Sequence, residues 1–80
     1  MYYTYILRSE SHDDELYFGS TGDLKKRLKA HNSGQSSHTA KYKPWKAIWF
    51  ACFETADRAR AFEKYLKSAS GKAFLRKRFI

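Results

Sequence analysis

Polar and apolar positions alternate from the first residues of the chain. Tyr2–Arg8 reads Tyr-Tyr-Thr-Tyr-Ile-Leu-Arg, aromatic and β-branched, which predicts a strand. Tyr3, Tyr5 and Leu7 alternate with Thr4 and Ile6, so the two tyrosines share one face. Ser9–Asp14 is polar and turn-like, and Glu15–Gly19 predicts a second short strand, giving a hairpin with a loose connection. Gly19-Ser-Thr-Gly-Asp23 breaks the pattern, and Asp23 is placed to N-cap a helix from Leu24 to about His31. Asn32-Ser33-Gly34 offers a left-handed cap to end it. Residues 33–44, rich in Ser, Lys and His and closing on Pro44, read as loop. Trp45–Phe53 is the most apolar stretch and predicts a third strand at the centre of the sheet. Thr55 N-caps a second helix running to about Ser68, and after a break at Ser68–Gly71 a short final helix is expected over Lys72–Phe79. The order β-β-α-β-α, with that short C-terminal helix, predicts an α/β (α+β) fold: a three-stranded antiparallel sheet flanked by helices.

Length and charge narrow what such a fold does. At 80 residues the chain is expected to be one domain spanning 1–80. A domain near this size buries only about 60% of its unfolded surface, so chemistry belongs on an open face or shallow cleft. Lys and Arg number 16 against 8 acids, a net charge of +8. With 18% aromatic residues the chain is no disordered basic tail, and the excess charge points to a polyanion. The charge is unevenly placed: residues 1–23 hold five acids and one base, residues 24–46 seven bases and no acid, and residues 58–80 eight bases and one acid, Glu63. The one cysteine, Cys52, cannot form an internal disulfide, which favours a reducing compartment. Nothing resembles a signal peptide, and the longest apolar run, Ala47–Phe53, is far short of the ~20 residues that span a bilayer. A soluble, cytoplasmic protein is the expectation.

Three groups of residues carry candidate chemistry. Projected at about 100° per residue, Lys25, Lys26 and Lys29 fall on the solvated face of the first helix. Arg27 and His31 instead share the apolar arc with Leu24 and Leu28. The plain explanation is a snorkelling arginine and a hydrogen-bonded boundary histidine. The functional one is a guanidinium that clamps phosphate beside a ring that titrates near neutrality. On the second helix Glu63 lies at the edge of the arc formed by Ala59, Phe62, Tyr65, Leu66 and Ala69. It forms either an i, i+4 ion pair with Lys67, worth ~0.3–0.5 kcal/mol, or a ligand to a hard divalent cation, which needs only one or two carboxylates. Tyr3, Tyr5 and Tyr17 are either core filling or phenols beside a phosphate; ionising one at pH 7 costs about 4 kcal/mol. Gly19-Ser-Thr-Gly22 lacks the ending of a phosphate loop. His12, His31, His38 and Cys52 lack zinc spacing. Ser37 and His38 have no triad context.

Taken together, Tyr3-Thr4-Tyr5, Tyr17-Phe18-Gly19, Thr21, Asp23-Leu24, Arg27, His31-Asn32 and Glu63 resemble a GIY-YIG nuclease domain, in particular its small standalone bacterial members. The run Tyr-x-Gly-x-Thr-x-Asp-Leu-x-x-Arg-x-x-x-His-Asn over Tyr17–Asn32 is the specific part. In the first motif Tyr3 stands in place of Gly and Thr4 in place of Ile, while Phe18 replaces Ile in the second. The resemblance implies a GIY-YIG-like fold and hydrolysis of phosphodiester bonds in nucleic acid, DNA favoured, with low sequence specificity and one divalent metal ion, Mg²⁺ or Mn²⁺. By that resemblance Tyr17 or Tyr5 helps to deprotonate the attacking water, Arg27 stabilises charge on the phosphate, His31 acts as base or proton shuttle and Glu63 holds the metal. Some members carry an Asn or Lys after the glutamate, a position for which Lys72 is the candidate here. Lys25, Lys26, Lys29, Lys41, Lys43, Lys46 and Lys72 are expected to contact the phosphate backbone. The rival readings are a non-catalytic nucleic-acid-binding module on a degenerate fold of this type and an interaction protein for an acidic partner.

Overall fold

The computed structural model describes residues 1–78. The elements run β1 (Tyr2–Ser9), β2 (Leu16–Thr21), α1 (Leu24–Asn32), α2 (Ser37–Ala40), β3 (Trp45–Phe53), α3 (Ala56–Leu66) and α4 (Ala69–Arg78). The expected three-stranded antiparallel sheet flanked by helices is present. Its order is β2-β1-β3.

The predicted central strand is therefore corrected: β1 lies in the middle and β3 on an edge. Thr4, Tyr5, Ile6 and Leu7 are all buried, because β1 is covered on both faces. Tyr and Thr disguise this in the sequence, since their hydroxyls suggest a wet face while both are hydrogen-bonded inside. The more apolar β3 is half open, with Phe50 54% exposed. One reason is a bulge. Ile6 pairs with Trp49 but Leu7 with Ala47, so Ile48 is an extra residue. Ile48 and Trp49 then both pack toward Ile6, which turns a continuous apolar run to one side rather than two.

Two cores flank the sheet. Ile6, Leu66 and Leu75 join β1 to α3 and α4 on one face, packed by Leu16, Phe18, Phe62 and Phe74. Tyr5, Leu7 and Trp45 form the other, under Leu24 and Leu28 of α1. The expected caps hold. The Asp23 side chain accepts from the Lys26 amide at the start of α1, and Thr55 from the Arg58 amide at the start of α3. Gly34 takes the left-handed conformation after α1, at φ +82°. The Thr4 hydroxyl donates to the Ala59 carbonyl and so pins α3 to the central strand.

Residues 33–44 are not all loop: Ser37–Ala40 makes one helical turn. The segment is closed by Asn32, whose side chain accepts from the Trp45 amide and donates to the Trp45 carbonyl at 3.0 Å, a two-bond clamp between the end of α1 and the start of β3. The final helix starts earlier than expected, at Ala69, where Gly71 lets it approach Leu66 of α3. Phe79, at the expected end of that helix, lies outside the described residues. Among the described residues no helix is long and apolar enough to cross a membrane.

Candidate active site at the edge of the second strand

The site grows from a missing side chain. Gly19 pairs with Tyr5 across β1 and β2. A Cβ at Gly19 would lie 2.6 Å from the Tyr5 Cζ and 3.1 Å from the Tyr17 Cε2. Only glycine lets the Tyr5 ring lie across β2 toward its open edge. Tyr17, two residues earlier on β2, faces the same side as Gly19. Its ring sits 4.7 Å from that of His31 and 6.3 Å from that of Tyr5.

His31 lies at the C-terminal end of α1 and is completely buried. Both ring nitrogens have partners. Nε2 is 3.2 Å from the Tyr5 hydroxyl, and Nδ1 is 2.8 Å from the Thr39 hydroxyl. Arg27, one turn earlier, is exposed, and its guanidinium interacts with the phenols of both Tyr5 and Tyr17. Helical spacing thus puts the buried ring and the exposed cation on the same side of α1.

The electrostatics follow burial. His31 is held below its ordinary pKa by desolvation first and by Arg27 second, which leaves it neutral at pH 7. Tyr5 is pushed above its ordinary value mainly by burial. Tyr17 and Glu63 add to this, and the opposing pull of Arg27 does not overcome it. Tyr5 therefore stays protonated at neutral pH. Tyr5 is 1% exposed, whereas Tyr17 is only half-buried.

Glu63 arrives from the opposite face of the sheet. Its Oε1 accepts from the Ser20 hydroxyl at 2.7 Å and its Oε2 from the Lys67 ammonium at 2.8 Å. Ser20 is the neighbour of Gly19, so β2 links the carboxylate to the tyrosines around the sheet edge. The structure thus brings Tyr5, Tyr17, Arg27 and His31 into one cluster, with Glu63 beside it. Of the two accounts of Glu63, the i, i+4 ion pair with Lys67 is formed. Among the described residues no three His, Cys, Asp or Glu side chains gather as a metal cluster. A lone carboxylate still suits a hard divalent cation that keeps its waters, and Lys67 marks the oxygen where positive charge is accepted.

The predicted lysines are spread over several surfaces. Lys25, Lys26 and Lys29 are exposed on α1, and Lys26 lines a hollow of about 200 Å³ with Arg27, Thr21 and Gln35. Lys41 covers the Tyr42 ring at 5.0 Å and lines a cleft of about 220 Å³ with Tyr17, His38 and Thr39. Lys43 and Lys46 are exposed before and within β3. Lys72 stands apart from the cluster, in a groove with Leu16, Phe18, Leu75 and Arg76. The lysine that touches Glu63 is Lys67. A groove of about 920 Å³ lies between α1 and β3 and shares no residue with the cluster. Tyr3 lines that groove, edge-on to Phe50 and outside the cluster.

Thr39 was not legible as a site residue. It sits in a polar segment with no periodicity, and the Asn32 clamp and the Trp45 indole together hold that segment against His31.

Residues 1–78 match the GIY-YIG catalytic domain. A UPF0213 protein of Clostridium perfringens is 41% identical over 68 residues, covering 84% of this chain and 71% of the relative. A UPF0213 protein of Bacillus licheniformis is 38% identical over 72 residues, covering 89% and 72%. One from Haloquadratum walsbyi is 34% identical over 67 residues, covering 82% and 75%.

Proposed function

The chain belongs to the GIY-YIG family of nuclease-type catalytic domains, and from that premise we propose that it is a metal-dependent endonuclease hydrolysing phosphodiester bonds in nucleic acid, DNA favoured, with low sequence specificity. One observation carries the reading: Tyr5, Tyr17, Arg27 and His31 converge over Gly19, with Glu63 reached through Ser20 at the same sheet edge. Core packing alone does not require an exposed guanidinium against two phenols above a residue that must lack a side chain.

Each residue has a role consistent with its exposure. Arg27, exposed and always charged, meets the scissile phosphate and stabilises the negative charge that develops there. Tyr17 is the less buried phenol and orients the attacking water. Tyr5 and His31 lie behind and hold Arg27 in place. Glu63 would hold a divalent cation, Mg²⁺ or Mn²⁺, in exchange for Lys67; when bound, such a cation supplies positive charge to the departing oxygen. Lys26 and Lys41, in the hollows on either side, bind backbone phosphates without reading sequence. The shallow clefts suit an open or flexible strand.

The test uses end-labelled single- and double-stranded DNA and RNA, with Mg²⁺, Mn²⁺ or EDTA, for the wild type and Glu63→Ala. The expected result is metal-dependent cleavage that Glu63→Ala abolishes while oligonucleotide affinity is retained. Binding with no cleavage of any substrate would overturn the enzyme reading in favour of a non-catalytic binding module.

A further inference from the structure

The buried hydrogen bonds behind Arg27 form one chain with a defined direction. At one end the guanidinium has donors only. It acts electrostatically on the Tyr5 phenol, and a group with donors only favours an accepting oxygen on that side. The phenolic proton needs an acceptor of its own, and His31 Nε2 stands 3.2 Å away. A neutral imidazole that accepts at Nε2 carries its proton on Nδ1. That proton is donated to the Thr39 hydroxyl oxygen at 2.8 Å. The Thr39 hydroxyl spends its own proton on the Ser36 carbonyl, 3.4 Å away in the same helical turn. A carbonyl only accepts, so the chain ends there. Donors-only at Arg27 and acceptor-only at Ser36 leave one consistent direction for every proton between them.

We propose that Thr39 is a positioning residue: it holds His31 in the Nδ1–H tautomer, which turns the Tyr5 proton inward and leaves the Tyr5 oxygen to seat Arg27. With the opposite tautomer, Nε2–H would compete with Arg27 for the Tyr5 lone pairs, and the phenolic proton would point at a cation. The backbone of Thr39 is fixed independently, because the Trp45 indole N–H donates to the Thr39 carbonyl at 2.9 Å. Thr39 itself is 1% exposed, so its hydroxyl is engaged with His31 rather than with solvent. The other groups facing His31 are Tyr17 from β2 and Arg27 from its own helix, with His38 of α2 against Tyr17. None of them supplies an acceptor for Nδ1–H.

The catalytic consequence rests on the nuclease reading; the tautomer does not. Long-range proton–nitrogen NMR correlation on the whole chain at neutral pH reads the His31 tautomer directly. The expected result is Nδ1–H for the wild type and for Thr39→Ser, and loss of that preference in Thr39→Val. In the cleavage assay Thr39→Val should lower kcat about 10- to 100-fold, the range typical of partners that orient a functional histidine. KM should change little, and Thr39→Ser should restore the rate. Wild-type His31 protonated at Nε2, or a Thr39→Val chain with unchanged tautomer and kcat, would overturn the proposal. If Thr39→Val does not fold, the wild-type tautomer and the Thr39→Ser rate still decide. A wild type that cleaves nothing removes the nuclease reading alone, and the spectra still judge Thr39.

Discussion

The two faces of the central strand are built by different rules. On the α3–α4 face, Ile6, Leu66 and Leu75 are buried among apolar and aromatic neighbours. On the α1–α2 face, Tyr5, Leu7 and Trp45 pack around His31 and Thr39, two polar residues as deeply buried as any. Apolar burial is non-directional and tolerates small shifts. A buried hydrogen-bonded chain does not, because each group left without a partner costs about 1–3 kcal/mol. One strand therefore presents a mainly apolar face that holds the fold, with the single Thr4–Ala59 bond as its directional contact, and a hydrogen-bonded face that holds side chains in one arrangement. Alternation along Thr4-Tyr5-Ile6-Leu7 is what makes this possible in four residues.

That division is most directly broken by a pair of substitutions with opposite expected effects. Leu66→Ala empties a fully buried position and should cost about 2–5 kcal/mol of stability, read by urea unfolding. Turnover per folded molecule should be retained. Arg27→Ala removes an exposed side chain and should leave stability within about 0.5 kcal/mol. It should lower kcat about 10²- to 10³-fold. If Leu66→Ala silences the folded fraction, or Arg27→Ala unfolds the chain, the two faces are not separate in function.

A smaller effect is expected where the faces meet. Gly19→Ala places a methyl group against the Tyr5 phenol, and that ring is 1% exposed with little room to retreat. The cost should be about 1–3 kcal/mol in stability. Cleavage should fall further than stability does, because the displaced phenol no longer seats Arg27. A Gly19→Ala variant with wild-type rate and stability would mean that the Tyr5 ring relaxes easily, and the hydrogen-bonded face would be softer than its bonds imply.

The sequence disclosed the two faces unequally. Period-two alternation placed Tyr3 and Tyr5 together, and cap chemistry set the starts of α1 and α3 at Asp23 and Thr55. Helical spacing set Arg27 and His31 apart from the lysines, because that geometry is local. The centre of the sheet was misread for a physical reason: a buried hydrogen-bonded Thr or Tyr looks polar in sequence, while the bulge at Ile48 made an edge strand look like a core strand. Glu63 was visible as a lone acid in a basic field, but its bond to Ser20 crosses from α3 to β2. Thr39 was invisible because its partner, His31, is brought to it by the Asn32 clamp on β3 rather than by any periodicity.

The smallest predicted effect is also the one that separates the faces electrostatically. His31 is the buried imidazole of the hydrogen-bonded face. It is faced by Arg27 of α1, Tyr5 of β1, Tyr17 of β2 and Thr39 of α2, with His38 beyond Tyr17 and the uncharged Trp45 from β3. Burial and Arg27 hold its folded pKa below the value of about 6.5 that it has when unfolded. Between those two values the unfolded chain binds more protons than the folded one, so stability rises with pH through that window. The contribution is complete above the unfolded value and is lost as pH falls toward the folded one. Urea midpoints measured from about pH 5 to pH 7 should therefore climb for the wild type. His31→Gln should flatten that climb. A climb that survives in His31→Gln would assign the titration elsewhere, and the polar face would then differ from the apolar one in its hydrogen bonds but not in its response to protons.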